Sequence, residues 1–348
     1  MTGAMTDISK SLGNITMSAY KVIVKNKAGT SQWELPFENG QVVWNLNNIH
    51  TCSLVVDMVY LRDYLVAQSS TLKTLFETGW LNFYLYKDNV LLFAGYIASV
   101  TYSVSGGRAQ VRIDVKSWLG YFASRFYTGD FSATDAGDIA WGLINAVNDI
   151  SITKGTVTAT KTRDRSYKND EVAKSVIGLS YLNLDSGFDF DISNAKVFTA
   201  VPRLGSDFAN IVFDEADILS YSIPVGLVGT VINKGIIFGG GIGDSQVIRT
   251  YTLGAPYTTN WFTLEGKTQS VNVEDTTVLD DAVTQLVELR KNPVRTIKLK
   301  VTNKFVDDYN VGDGIKIKIP DLTIDDILRV KKKTLNFGDE DTIDLEFL

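Results

Sequence analysis

Residues 214–217 read Asp-Glu-Ala-Asp and close a short apolar run, Asn210-Ile211-Val212-Phe213. In helicase-type motors such carboxylates end a buried strand and hold Mg²⁺ beside a phosphate loop, G-x-x-x-x-G-K-S/T, that opens a helix. Gly266, Lys267 and Thr268 spell the end of that loop, but Trp261 stands where its first glycine is needed. The loop would also follow the acidic motif instead of preceding it. "EGKTQSVNV" leads into a strand pattern, not a helix. The acidic letters therefore read as a polar hairpin turn between two strands, and Gly266-Lys267 as a turn of no special role.

The remaining candidates for chemistry are thin. "FGGGIGDS" places Gly239, Gly241 and Gly243 at dinucleotide-loop spacing, but "QVIRTYTL" continues as a strand where a helix is required, so a hairpin tip is expected. His50 and Cys52 are the only histidine and cysteine and sit two apart in "NIHTCSL". One cysteine excludes an intrachain disulfide and thiolate clusters; one histidine excludes sites built on two imidazoles. With no nucleophile elbow nearby, His50 reads as a half-buried side chain at a sheet or subunit contact. The carboxylate pairs Asp189/Asp191, Asp307/Asp308 and Asp325/Asp326 could serve a glycosidase only across a cleft. Asp189 and Asp191 alternate with Phe188 and Phe190, which reads as a solvated strand face. No residue is assigned a catalytic, cofactor-binding or metal-binding role, no cofactor is expected, and the chain is not expected to be an enzyme.

Composition narrows the classes further. The 348 residues suit two to four domains, and the formal net charge of −6 argues against a dedicated nucleic-acid binder. No apolar run has the length of a membrane span, and the polar start, residues 1–17, lacks a secretory pattern and reads as a mobile arm.

The elements that must carry these residues are mostly strands. Over residues 18–127, runs such as "YKVIVKN", "GQVVWNL", "WLNFYLYK" and "AQVRIDVKS" alternate, with turns at Asp88-Asn89 and Gly106-Gly107. Leu61, Leu65, Leu72, Leu75 and Phe76 recur at helical spacing in two pieces, so this unit reads as a barrel with a small helix. Residues 128–202 read as a small α/β domain. One helix is capped by Thr134 with Ile139, Leu143 and Ala146 or Val147 inward. A polar stretch follows at 151–168, then a helix capped by Asn169 with Val172, Val176 and Leu179 inward, then two strands that turn at Asn194. Residues 203–270 read as strands. The last unit, 271–348, opens with a helix capped by Asp275 and ended by Pro293, with Val278, Ala282, Leu286 and Leu289 as its stripe, and continues as a second barrel. Its "RVKKKTL" and "IKIKI" runs give a lysine-bearing strand face. That face suits either protection of a sheet edge or contact with an acidic neighbouring subunit. The fold class is mainly β with α+β parts: two small tube-like barrels, first and last, flanking an α/β domain and a strand-rich domain.

The order of segments resembles one family. "LRDYL" and "LFAGYIASVTYSVSGGRAQVRIDVKSWLGYFASR" resemble the opening domain of baseplate hub, or tail-associated, proteins of long-tailed bacteriophages. "AGDIAWGLINAVN" resembles the start of their small α/β domain. "DILSYSIPVGLVGTVINKGIIFGGG" resembles their N-K/R-V-x-V-x-G strand pair, and "LDDAVTQLVELRKNPVRTIKLKVTN" with "YNVGDGIKIKI" their closing helix, strand and turn. Val311 departs from the family, which often has proline before the Gly-Asp pair. The resemblance implies a homotrimer whose six barrel units form a pseudo-sixfold ring. Such a ring adapts a sixfold tail tube and the distal tail protein ring to a threefold tip. It implies contacts with the tail tube protein, the tape measure protein C-terminus and a central fibre or spike protein, and a bore through which DNA passes without specific binding. Peptidase, lysozyme or fibre parts carried by some relatives are expected on separate proteins. The alternative is a tail-associated carbohydrate-binding or cell-wall-degrading enzyme, for which Trp33, Trp44, Trp80, Tyr84 and Tyr86 would supply the stacking faces.

Overall fold

The first alternating runs become strands β1 (Tyr20–Asn26), β2 (Gln32–Leu35), β3 (Asn39–Asn45) and β4 (Thr51–Asp57) in the computed structural model. The structure describes residues 20–77, 79–158, 161–180, 187–226, 231–241, 243–260, 262–269, 276–291, 294–302, 304–305, 307–338 and 341–347. The expected arm at 1–17, the cap Asp275 and the breaker Pro293 lie outside these residues. After β4 come α1 (Met58–Ala67), α2 (Leu72–Phe76), β5 (Leu81–Lys87), β6 (Val90–Ser105), β7 (Arg108–Lys116) and α3 (Trp118–Tyr121). The Asp57 carboxylate starts α1 by accepting the Val59 and Tyr60 N–H groups, both at 2.9 Å, and Leu61 and Leu65 turn inward at helical spacing. Asp88 and Asn89 take φ of 49° and 64°, as a primed hairpin turn requires.

The chain continues with β8 (Phe126–Asp135), α4 (Ala136–Ala146), β9 (Thr153–Val157), β10 (Thr162–Glu171), α5 (Val172–Ser180), β11 (Asp189–Ile192) and β12 (Val197–Val201). Asp135, not Thr134, caps α4, accepting the Gly137 N–H at 2.9 Å; the Thr134 hydroxyl donates to Ser132 O instead. Asn169 lies inside β10 at φ 56° and does not cap α5. The polar stretch at 151–168 holds β9 and most of β10, whose side chains are largely exposed and so leave no apolar alternation to read. Ile139, Ala140, Leu143 and Ile144 of α4 and Val172, Val176 and Leu179 of α5 pack on Phe190 and Phe198. Ala94, Trp118 and Phe122 join the same core from the preceding strands and turns.

The third stretch comprises β13 (Asp207–Phe213), β14 (Ile218–Ser222), β15 (Val225–Gly226), β16 (Lys234–Phe238), β17 (Ile248–Thr252), α6 (Tyr257–Asn260), β18 (Glu265–Gln269) and α7 (Thr276–Arg290). The final strands are β19 (Val294–Arg295), β20 (Lys298–Thr302), β21 (Gly314–Ile319), β22 (Ile324–Phe337) and β23 (Thr342–Phe347). The buried stripe of α7 is Leu279, Val283 and Val287, with Ala282 and Leu286 beside it, one position on from the expected one; the side chains of Val278 and Leu289 lie outside the described residues. This helix packs on Ile237 of the β17-β16-β18 sheet and on Ile232 and Leu253, which flank its strands.

The mainly-β, multi-domain plan with α+β parts holds, but among the described residues neither end set of strands closes into its own barrel. A single hydrogen-bonded path runs β14-β20-β23-β22-β3-β4-β7-β6-β5-β1-β2, with β13 and β21 branching from β22. The cause is the register Lys332↔Asn45 to Phe337↔Gly40, which makes the last strands continue the first. Alternation then gives this shared sheet two different faces. Val301, Ile343, Leu335, Val42, Cys52 and Val115 are successive partners across it, and all six are buried in one core. Each such side chain contributes roughly 1.5–3 kcal/mol by leaving water. One residue along, Thr302, Thr342, Asn336, Gln41, Ser53 and Asp114 form the facing polar row.

Candidate functional site

The structure separates the letters that suggested a motor. Asp214 to Asp217 form the turn between β13 and β14, but those strands do not form a hairpin: β13 runs parallel to β21 and β14 antiparallel to β20. The Asp217 and Ile218 N–H groups donate to Asp214 O at 3.0 Å. Asp217 accepts Lys304 Nζ at 2.8 Å, which ties the turn to the segment after β20. Gly266, Lys267 and Thr268 lie inside β18, not in a turn. A Cβ at Gly266 would sit 2.6 Å from Ile232 Cδ1, so this glycine serves packing. The Gly-rich segment 238–245 joins the antiparallel pair β16 and β17, as a hairpin tip should.

Polar side chains converge instead where the shared sheet meets the α/β unit. Asp189, expected on a solvated face, is 5 % exposed. It accepts Asn47 Nδ2 at 2.9 Å and the Leu204 N–H at 2.7 Å, and it pairs with the Arg329 guanidinium. Arg329 also donates to Gly312 O at 2.9 Å and Leu204 O at 3.1 Å. Asp313 extends the join by accepting the Ser206 N–H at 2.8 Å and the Asn310 N–H at 2.7 Å. His50 sits at this contact: Nδ1 accepts the Asn45 N–H at 3.1 Å, which leaves Nε2 to donate to Asp191 at 3.1 Å. Cys52 points the other way into the core, where burial pushes its thiol well above the ordinary range. On the far side of β11, Asn194 Oδ1 accepts the Ala94 N–H at 2.9 Å and Asn194 O accepts Trp118 Nε1 at 3.3 Å. Of these residues the sequence had singled out Asp189, Asp191, Asn194 and His50; Arg329 was read only as part of a basic strand run and Asp313 only as part of the Gly-Asp turn, and Asn47 went unread.

The other carboxylate pairs divide. Asp307 holds Lys87 Nζ at 2.9 Å, and Lys316, bonded to Asp325 at 3.0 Å, keeps that carboxyl below its usual range. Asp307 lines one cavity with Asp88, Asp191 and Asp313. What lies beside the join is a cavity of about 610 Å³, lined by the 44–50 segment, the β5–β6 turn, β11 and its hairpin, Leu204-Gly205 and residues 307–313. Lys333 reaches it from β22, 4 % exposed, with Nζ donating to Tyr309 O at 2.7 Å and lying 4.2 Å from the Tyr309 ring. Among the described residues Tyr309 Oη is buried with no hydrogen-bond partner. Tyr309→Phe therefore removes a desolvated hydroxyl that bonds to nothing and is expected to raise stability by about 1 kcal/mol. Urea unfolding of the two proteins measures this, and a loss of stability would reveal a partner for the hydroxyl.

Two surface expectations change. β20, β21 and β22 are each paired on both sides, so their lysines protect no sheet edge. Four of the five aromatic side chains put forward for sugar stacking pack against a core or another ring. Trp33 and Trp44 lie against the main core and Tyr84 against the α/β core, while Trp80 stacks on Tyr96 with centroids 4.5 Å apart.

The first and last strands of this multi-unit, β-rich chain share one sheet. The fold as a whole is similar to that of phage tail proteins. The chain is similar to the tail protein from Neisseria meningitidis MC58, with a TM-score of 0.63 and 13% identity over 94% of this chain and 96% of that one. It is similar to the 43 kDa tail protein of prophage MuSo2 from Shewanella oneidensis, with a TM-score of 0.66 and 9% identity over 94% and 98%. A third likeness is to prophage tail protein gp18 from Listeria monocytogenes EGD-e, with a TM-score of 0.57 and 13% identity over 94% of each chain. No family model matches the sequence, and no curated protein matches it.

Proposed function

We propose that the protein is a structural component of a phage tail tip, a baseplate hub, and that its role is assembly rather than catalysis. The observation that carries this reading is the end-to-end likeness to tail proteins, covering almost all of each chain. In the finer form of the proposal three copies make a pseudo-sixfold ring around the DNA channel. The ring adapts the tail tube and distal tail protein ring above to a fibre or spike below, with the tape measure C-terminus entering it. Two features of the sheet support this form. Its polar face runs unbroken from the last strands to the first and mixes Lys300 and Lys332 with Asp344, Asp114 and Glu346; DNA can slide along such a face without being gripped. Among the described residues strands β2 and β14 end the path with one neighbour each, so each leaves an edge for a strand of the next copy in a ring that closes by rotation.

Native mass spectrometry and negative-stain micrographs test the finer form. Three copies of the 38.4 kDa chain in a ring are expected, and a strict monomer sinks it. Antibody labelling of virions tests the coarser one: label confined to the tail tip is expected, and unlabelled tails overturn it.

A further inference from the structure

Two strand edges of the shared sheet stand open and unguarded. β6 pairs with β5 only as far as Tyr96, whose partner is Asn82; beyond it, residues 97–105 pair with β7 alone among the described residues. β14 likewise has β20 on one side and no described strand on the other. Open edges are ordinarily blunted by a charge or a proline. Neither residues 98–104, Ala-Ser-Val-Thr-Tyr-Ser-Val, nor β14, Ile-Leu-Ser-Tyr-Ser, holds one, whereas β2 carries Glu34. The faces of the two edges also match. On β6, Ser99, Thr101 and Ser103 lie on the polar face, where Ser99 Oγ donates to Asp114 at 3.1 Å. Tyr102 and Val104, 41 % and 72 % exposed, continue the core face beyond Val100. On β14, Ser220 and Ser222 stand opposite Lys300 and Lys298 on the polar face, and Tyr221, 48 % exposed, stands opposite buried Leu299.

We propose that β14 of one copy adds antiparallel to the 98–104 edge of β6 in the next copy, so that the sheets of neighbouring copies become one. This rests on the reading of the protein as a ring of copies and names the seam that closes it. Direction decides between the two edges open to β14. From β14 to β6 the path crosses seven pairings, all antiparallel, so β6 runs opposite to β14. Rotation about an axis along the strands brings the next copy's β14 beside β6 still opposed to it, and the alternation continues across the seam. Reaching β2 takes three more antiparallel pairings, which turns it the same way as β14. A β2–β14 join would therefore be parallel, the less stable kind per residue. The side chains agree with β6. The join sets the hydroxyls of Ser99, Thr101 and Ser103 beside those of Ser220 and Ser222, and brings Tyr102 and Val104 beside Tyr221, so each face meets its like.

Cysteine pairs test the seam, since opposed residues on adjacent strands lie within disulfide reach. Full chains with one new cysteine on β6 (Ser99→Cys, Thr101→Cys or Ser103→Cys) are mixed with chains carrying Ser220→Cys or Ser222→Cys; Cys52 is buried and stays out of reach. Oxidation is expected to join β6 variants to β14 variants, and neither kind to itself; self-coupling in place of cross-coupling would overturn the proposal. Antiparallel register requires the best β6 partner of Ser222→Cys to lie two residues N-terminal to that of Ser220→Cys. A partner displaced toward the C-terminus, or coupling of the β14 cysteines to Gln32→Cys on β2 instead, is equally fatal. Native mass spectrometry of the same chains before oxidation separates this proposal from the one it rests on. A three-copy ring without β6–β14 coupling sinks the seam alone, and a strict monomer sinks both. Tyr221→Lys is expected to raise the dissociation constant of the assembly by about tenfold or more, as loss of a tyrosine at the centre of an interface does. An unchanged constant counts against the seam.

Discussion

Asp189→Ala is expected to cost about 3–5 kcal/mol of stability. The carboxylate is 5 % exposed and serves three donors at once: Asn47 Nδ2, the Leu204 N–H and the Arg329 guanidinium. Removing it leaves a guanidinium whose side chain is 24 % exposed without its counter-charge, and a backbone N–H without an acceptor. The contrast is Lys21 with Glu34, 46% and 55% exposed, where losing one partner costs at most about 1 kcal/mol. Equilibrium urea unfolding of Asp189→Ala measures the difference. A double variant with Arg329→Met separates the reasons. If an orphaned charge is the main cost, the double change is less damaging than the sum of its parts, because the charge leaves with its partner. A loss below about 1 kcal/mol for Asp189→Ala would mean that water already screens the pair.

The same aspartate shows how far the sequence can be read. Alternation of Asp189 and Asp191 with Phe188 and Phe190 identified the strand and its apolar face correctly. It could not show that the polar face is also covered, because the cover comes from Asn47 and Arg329, about 140 residues away on either side. Inward stripes in α1, α4 and α5 were legible for the opposite reason: a helix meets its own period within a few residues. Helix caps were less so, since Thr134 and Asp135 are both good caps and only the path of β8 decides between them. What the two-barrel expectation could not include is one register, β22 on β3, a pairing between residues nearly 300 apart that no local pattern encodes. Lys333 did leave a signal. It falls on the same side of β22 as Leu335 and Phe337, so strand periodicity alone marks it as an inward lysine inside an apparently solvated basic run.

That inward lysine gives the second large expected effect, a gain of stability with rising pH. Burial lowers the Lys333 ammonium to about 8 from 10.5; nearby Asp307 opposes the shift and Lys87 adds to it. The ring faces of Tyr309 and Trp44, 4.2 Å and 5.5 Å from Nζ, and the Tyr309 carbonyl favour the charged form. Together they are worth about 2–4 kcal/mol, against a desolvation cost of several kcal/mol for a buried ammonium, so burial wins. Below pH 8 the folded and unfolded chains are both protonated at this site, and folding bears the full cost of burying the charge. Between about 8 and 10.5 the unfolded chain holds a proton that the folded chain has released, so stability rises with pH; above that window both are neutral and the cost is gone. The gain across the window is at most about 3 kcal/mol. Tyr20, Tyr309 and Cys52, all pushed upward by burial, act in the opposite direction at high pH. Subtracting a Lys333→Met variant removes their contribution, since it retains all three. The stability of the natural chain relative to Lys333→Met should therefore climb by about 2–3 kcal/mol between pH 7 and pH 10, read from urea midpoints at each pH. A flat difference would show that the rings and carbonyl keep the ammonium charged inside the fold, and the balance struck here in favour of burial would be wrong.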